Sequence, residues 1–188
     1  PARRRTRIFP LSEPTRSIPM NPLRLFRLIG ARKRRDIEFF PPWWLLGIRL
    51  VENRDNWRHV RIRLPLWFLT RNLGGHMFGG CQANLADPIA AIACAHIFPD
   101  YSVWTRAQSV DFREIGDSDL ELRFDFDPVV EARIREELRA KGRSTPVFEF
   151  GFYRADGVLC THVTNTVAIR PKGYLAQSGA YTPPGKAG

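Results

Sequence analysis

The chain predicts an α+β fold: a curved, mostly antiparallel sheet of about six strands wrapped around one long central helix. Three observations carry this expectation. The stretch from Phe78 to Phe98 is apolar on most of its sides, and only a curved sheet buries such a helix all round. Six other segments alternate apolar and polar residues with the period of a half-buried strand. A second helical pattern carries a single apolar stripe and reads as a surface helix.

In chain order, Asn21 can cap a short helix that Pro22 opens, with Leu25, Leu28 and Ile29 on one face and Arg24, Arg27 and Arg32 elsewhere. Beyond Pro41 and Pro42 the period changes to two. Gly47 to Glu52 and Trp57 to Leu64 read as a strand pair, with Val60, Ile62 and Leu64 on one face, Arg61 and Arg63 on the other, and a turn over Glu52 to Asn56. After the central helix come strands near Ser102 to Phe112 and Asp119 to Asp127. In the latter, Leu120, Leu122, Phe124 and Phe126 alternate with Asp119, Glu121, Arg123 and Asp125. Asp127 then caps the second helix, Pro128 opens it, Val130, Ile134 and Leu138 form its stripe, and Gly142 ends it. Thr145 to Tyr153 and Val158 to Ile169 are the last strands, joined across Ala155-Asp156-Gly157, a strong hairpin signal. The organisation expected is a basic arm with its short amphipathic helix over 1–40, one domain over 41–170 and a flexible tail over 171–188.

Net charge is +10 with a pI near 10.4, which raises nucleic acid as a partner. The charge is uneven. Through Glu38 there are eleven Lys or Arg against three acids, a net of +8 that leaves only +2 for the rest. A nucleic-acid binder needs stacking aromatics among its basic residues, whereas Arg3, Arg4, Arg5 and Arg7 have only Phe9 nearby, so no specific nucleic-acid partner is expected. The basic helix suits a weak contact with an anionic membrane surface or packing on the domain body, and its shortness favours packing. The Arg-rich start also has something of a transit peptide, but it is poor in serine and contains several prolines. Cys81, Cys94 and Cys160 are odd in number and lack CxxC spacing, which argues against a disulfide framework or zinc site and for a reducing, cytoplasmic compartment. No run approaches the ~18 to 20 apolar residues of a membrane span.

The run from Asn72 to Asp87, NLGGHMFGGCQANLAD, is the most informative. It sets a glycine pair at a helix entrance, where backbone N–H groups lack partners, and a lone acid two turns into an apolar helix. Asn72, Gly75, Gly79, Gly80, Leu85, Ala86 and Asp87 stand at the spacing N-x-x-G-x-x-H-G-G-x-x-x-x-L-A-D, with Phe78 where the pattern has histidine. This resembles the phenylacetate-pathway-type acyl-CoA thioesterases of the hotdog superfamily. From Pro41 to Arg170 the chain is more similar to an uncharacterised bacterial branch of that superfamily, through PPWW-LLGIRL, WRHVRIRLPL, HMFGGCQANLADP, YSVWTRAQSVDF and DGVLCTHVTNTVAIRP. The resemblance implies a hotdog fold, a homodimer or dimer of dimers, an acyl-CoA or related acyl thioester as substrate, and no separate cofactor or metal.

Gly80 and Asp87 share a helix face, yet at ~1.5 Å rise per residue they lie roughly 10 Å apart, too far for one thioester to use both. Two such helices antiparallel across a two-fold axis would bring the Asp87 of one chain to the Gly79-Gly80 entrance of the other. The candidate catalytic residues are therefore Asp87, Asn72, Gly79 and Gly80, with hydrolysis as the expected reaction and acyl-CoA binding without hydrolysis as the alternative that Phe78 favours. Bland readings stand beside these. Asp87 precedes Pro88 and could satisfy backbone groups at a kink, Asn72 suits an ordinary turn, and the glycines suit close packing. His76, Phe78, Cys81, Gln82 and Trp104 are candidate substrate-binding residues. Among them His76 reads more simply as a solvated loop residue, Cys81 as pocket lining without a histidine base beside it, and Trp104 equally well as core.

Overall fold

The computed structural model describes residues 36–174, so the arm and short helix expected before Asp36 lie outside it, as does the tail beyond Tyr174. After a 3-10 turn over Asp36–Phe39 comes a helix, α1 (Pro41–Leu45), where the sequence reading passed straight to a strand. Two prolines preset its first turn, and Trp43 anchors it in the core.

Strands β1 (Arg49–Arg54) and β2 (His59–Leu64) pair antiparallel, but their turn lies later than expected. Asp55, Asn56 and Trp57 take left-handed φ values of 52°, 54° and 71°, so Trp57 belongs to the turn and not to the strand. Its ring is buried and stacks on His96 at 5.1 Å, while the Asn56 amide donates to the His96 carbonyl at 3.0 Å. A contact across the fold thus overrides the local strand pattern.

The remaining elements are α2 (Gly79–Ala86), α3 (Ile89–Ile97), β3 (Tyr101–Phe112), β4 (Leu120–Asp125), α4 (Pro128–Lys141), β5 (Val147–Tyr153) and β6 (Leu159–Pro171). All six strands form one antiparallel sheet in the order β1-β2-β4-β5-β6-β3. Its inner face supplies Val60, Ile62, Leu64, Leu120, Leu122, Phe124, Phe148, Phe150 and Phe152, all buried, against Leu85, Ile89, Ala90, Ala93, Cys94 and Ile97 of the central helices. Phe124 is the hub, within 5.5 to 6.1 Å of the rings of Phe150, Phe148 and Phe126. The surface helix α4 has the expected ends: the Asp127 carboxylate accepts from the Val129 N–H at 2.8 Å, and Gly142 takes φ 65°.

The central helix is broken in two. Pro88 has no N–H to return to the turn before it, and α2 ends at Ala86 while α3 begins at Ile89. The Asp87 carbonyl turns toward the sheet instead, accepting from Thr105 Oγ1 at 2.6 Å and from Asn165 Nδ2 at 2.9 Å. Asn165 is fully buried on β6, and its Oδ1 has no partner among the described residues. Edge strand β3 runs back along both helices and pairs only with β6, with a one-residue bulge at Arg106 between Thr105 and Ala107.

Substituting Asn165→Leu keeps the volume and removes the donor to the kink. The expected loss is about 1–3 kcal/mol of stability, read by denaturant unfolding. A second test concerns Arg58, which ties the β1–β2 turn to α4 through two 2.8 Å bonds to the Glu131 carboxylate. Those hydrogen bonds hold the Glu131 carboxyl below its ordinary range against the opposing effect of burial. A carboxyl lowered in the folded state stabilises fully above its unfolded pKa of roughly 4.3 and loses that contribution as pH falls through the folded value. Arg58→Ala should therefore cost about 1–2 kcal/mol at neutral pH, and its melting curve should approach that of the wild type below about pH 4.

Candidate functional site

The loop before α2 is shaped by Asn72. Its side-chain oxygen accepts from the N–H groups of Gly74 at 2.9 Å and His76 at 3.1 Å, and its backbone N–H donates to the His76 carbonyl at 2.8 Å. The loop is fixed at its far end by two 2.7 Å bonds, Met77 N–H to Gly116 and Phe78 N–H to Thr70. Phe78 then stands at the N-cap position without a capping side chain. The N–H groups of Gly79 and Gly80 have no partner among the described residues, and they sit at the positive end of the helix. Two exposed rings pack against the glycines. A Cβ at Gly79 would lie 2.6 Å from the Phe112 ring, and one at Gly80 would lie 2.6 Å from the Phe78 ring.

Asp87 sits at the far end of α2, with its side chain exposed and its carboxylate unpaired among the described residues. The expectation of an acid held in greasy surroundings is therefore corrected: within one chain Asp87, still in helical geometry at the end of α2, is exposed. Nor does its carboxylate serve the kink, whose carbonyl is taken by Thr105 and Asn165. Beside Asp87 a groove of about 440 Å³ opens between α3 and β3, lined by Ala91, Ile92, Ala95, Val103, Trp104 and Thr105. That volume lies within the usual range for small-molecule sites.

The other expected residues divide clearly. Trp104 lines this groove and is 39% exposed, which removes the core reading; its ring faces Tyr174 at 6.4 Å, and the Arg170 guanidinium lies 6.0 Å from each ring. Phe78 is exposed at the helix start, and His76 is half-buried in the loop. Cys81 and Gln82 point into the core instead of the groove. Burial pushes the Cys81 thiol up, which opposes a nucleophilic role, and the Gln82 carbonyl oxygen accepts from Thr161 Oγ1 at 2.6 Å. The sequence reading missed Thr105 and Asn165, which pin Asp87 from two different strands; each looked like one more position in an alternating strand.

Among the described residues no helix is long and apolar enough to cross a membrane. No curated protein matches the chain. The fold is shared with solved structures. A Pseudomonas aeruginosa protein of unknown function, PA5026, described as a "Probable Thioesterase", is 17% identical over 80% of this chain and 96% of its own, with a TM-score of 0.64. The thioesterase HI1161 of Haemophilus influenzae is 13% identical over 76% of this chain and 91% of its own, with a TM-score of 0.58. The protein OLEI01261 of unknown function from Chlorobaculum tepidum is 12% identical over 72% and 89%, with a TM-score of 0.60. These likenesses establish the hotdog fold. The model of the family described as "Domain of unknown function (DUF4442)" matches residues 37–169, and the chain belongs to that family.

Proposed function

We propose that the protein is an acyl thioester hydrolase, with acyl-CoA as its substrate, whose reacting centre forms between two copies of the chain. The observation that carries this reading is the Asp87 carboxylate at an apolar groove, on the same helix as the Gly79 and Gly80 amides, all without partners among the described residues. Seven residues of helix separate acid from amides by roughly 10 Å, so a two-fold arrangement is needed to bring them to one carbonyl. Thioesterase descriptions among the fold relatives support the same reaction class.

In this reading the acyl chain lies along Ala91, Ile92 and Ala95, and the Gly79 and Gly80 N–H groups of the other copy polarise the thioester carbonyl. Asp87 takes a proton from a water, whose oxygen attacks the carbonyl carbon. The tetrahedral oxyanion rests on the amides, the C–S bond breaks, and the thiolate leaves to be protonated, with the acid as the other product. Direct attack by Asp87 would instead pass through an acyl-enzyme anhydride that water then opens. Asn72 holds the loop that presents the amides and is a positioning residue in this scheme.

A second reading, acyl-CoA binding without hydrolysis, has one observation in its favour: the exposed Phe78 ring, which cannot exchange a proton, packs against Gly80 at the helix start. Thiol release from acyl-CoA separates the two. Hydrolysis with wild type and a fall in kcat of about 100-fold or more in Asp87→Asn, with the melting temperature within a few degrees, is the expected result. Unchanged turnover in Asp87→Asn would sink the mechanism. A ligand-dependent rise in melting temperature with no thiol released would select the binder.

A further inference from the structure

Helix α1 and the turn that follows β2 expose large apolar side chains next to one another. Trp44, 63% exposed, and Leu45 stand on α1, while Phe68, 75% exposed, and Leu69 stand on the turn over 67–70. The two segments touch. The Trp67 indole N–H donates to the Leu46 carbonyl at 3.1 Å, and Gly47 packs against Pro65 and Trp67. The turn itself is braced from inside: the buried Thr70 hydroxyl accepts from the Trp67 N–H at 2.9 Å and donates to the Pro65 carbonyl at 2.6 Å, and the Trp67 carbonyl accepts from the N–H groups of Thr70 and Arg71. Exposure of Phe68 and Leu69 is therefore built into a fixed backbone. A lone exposed apolar residue is ordinary, whereas adjoining ones on braced backbone mark a surface that meets an apolar partner.

Charge selects that partner. The stretches that supply these side chains, 39–51 and 56–86, hold Arg49, Arg58, Arg61, Arg63 and Arg71 and neither Asp nor Glu. The acids that reach the neighbourhood are already engaged. Asp119 accepts from Arg63 at 2.6 Å and from the Leu66 N–H at 2.7 Å, and Glu38 accepts from the Leu50 N–H at 2.8 Å. Arg71, two residues beyond Leu69, is exposed and has no ion pair among the described residues. The sequence leading to α1 adds eleven Lys or Arg before Asp36, against Glu13 alone.

We propose that the protein docks peripherally on anionic lipid surfaces through Trp44, Leu45, Phe68 and Leu69, with Arg71 and the basic run before α1 supplying the electrostatic part. Indole and phenyl rings settle at the boundary between headgroups and acyl chains, and Lys and Arg meet the lipid phosphates. An apolar protein groove would cover the rings alone; an anionic bilayer answers both rings and charge. The docking does not depend on the reaction proposed above.

The whole chain, sedimented with vesicles of phosphatidylcholine alone or mixed with phosphatidylserine, should bind only the mixed vesicles and bind less as salt rises. Brominated acyl chains should quench its fluorescence, and Trp44→Phe should remove most of that quenching, since Trp44 is the most exposed of the five tryptophans. Trp44→Ser combined with Phe68→Ser should weaken vesicle binding by about tenfold or more with the melting temperature within a few degrees, because both side chains lie largely in solvent. Arg32→Gln, Lys33→Gln, Arg34→Gln and Arg35→Gln together should weaken it by about tenfold. Binding that persists in the Trp44→Ser, Phe68→Ser variant, with no quenching in the wild type, would show the basic run adsorbing alone and overturn the docking surface. Absence of vesicle binding would overturn it as well; a shift of that variant toward monomer would then assign the patch to a contact between copies of the chain.

Discussion

One missing hydrogen atom organises this molecule. Pro88 interrupts the backbone ladder in the middle of a helix that the sheet encloses, withholding the N–H that the Asn84 carbonyl would otherwise accept. At the break Thr105 of β3 and Asn165 of β6 donate to the Asp87 carbonyl, which fastens the helix to two neighbouring strands. Asp87 is exposed at this break, beside the groove.

The elements legible in the sequence were those whose pattern follows from burial on one face. Val60, Ile62 and Leu64, or Leu120, Leu122 and Phe124, announce strands because their alternation is what the curved core requires. The α4 caps were readable because Asp127 and Gly142 act within a turn of their own positions. Trp57 and Pro41–Leu45 were misread because distant contacts decide them: the stack on His96 in one case, the burial of Trp43 in the other.

The site was legible in part and for a definable reason. Spacing singled out Gly79, Gly80 and Asp87, whose backbone and side-chain groups have no partner among the described residues. Spacing could not tell inward from outward at the helix start, so Cys81 and Gln82 were assigned to a pocket when they face the core. The packing of a ring against Gly79 was equally hidden, since that ring belongs to Phe112, far along the chain. Fold and family are now fixed by the match over 37–169 and by solved relatives, while chemistry must come from the particular atoms at the kink and the helix start.

The two borders of the sheet are built on different principles. The β1 border is short, bulged between Leu50 and Glu52, and carries Arg49, Glu52 and Arg54, all features that discourage foreign strands from adding on. The β3 border is twice as long and bears exposed aromatic rings at Trp104 and Phe112. Left bare, such a border is a template for indiscriminate strand addition and hence for aggregation. In a newly folded chain that border is therefore where an extended segment diffusing past is captured first.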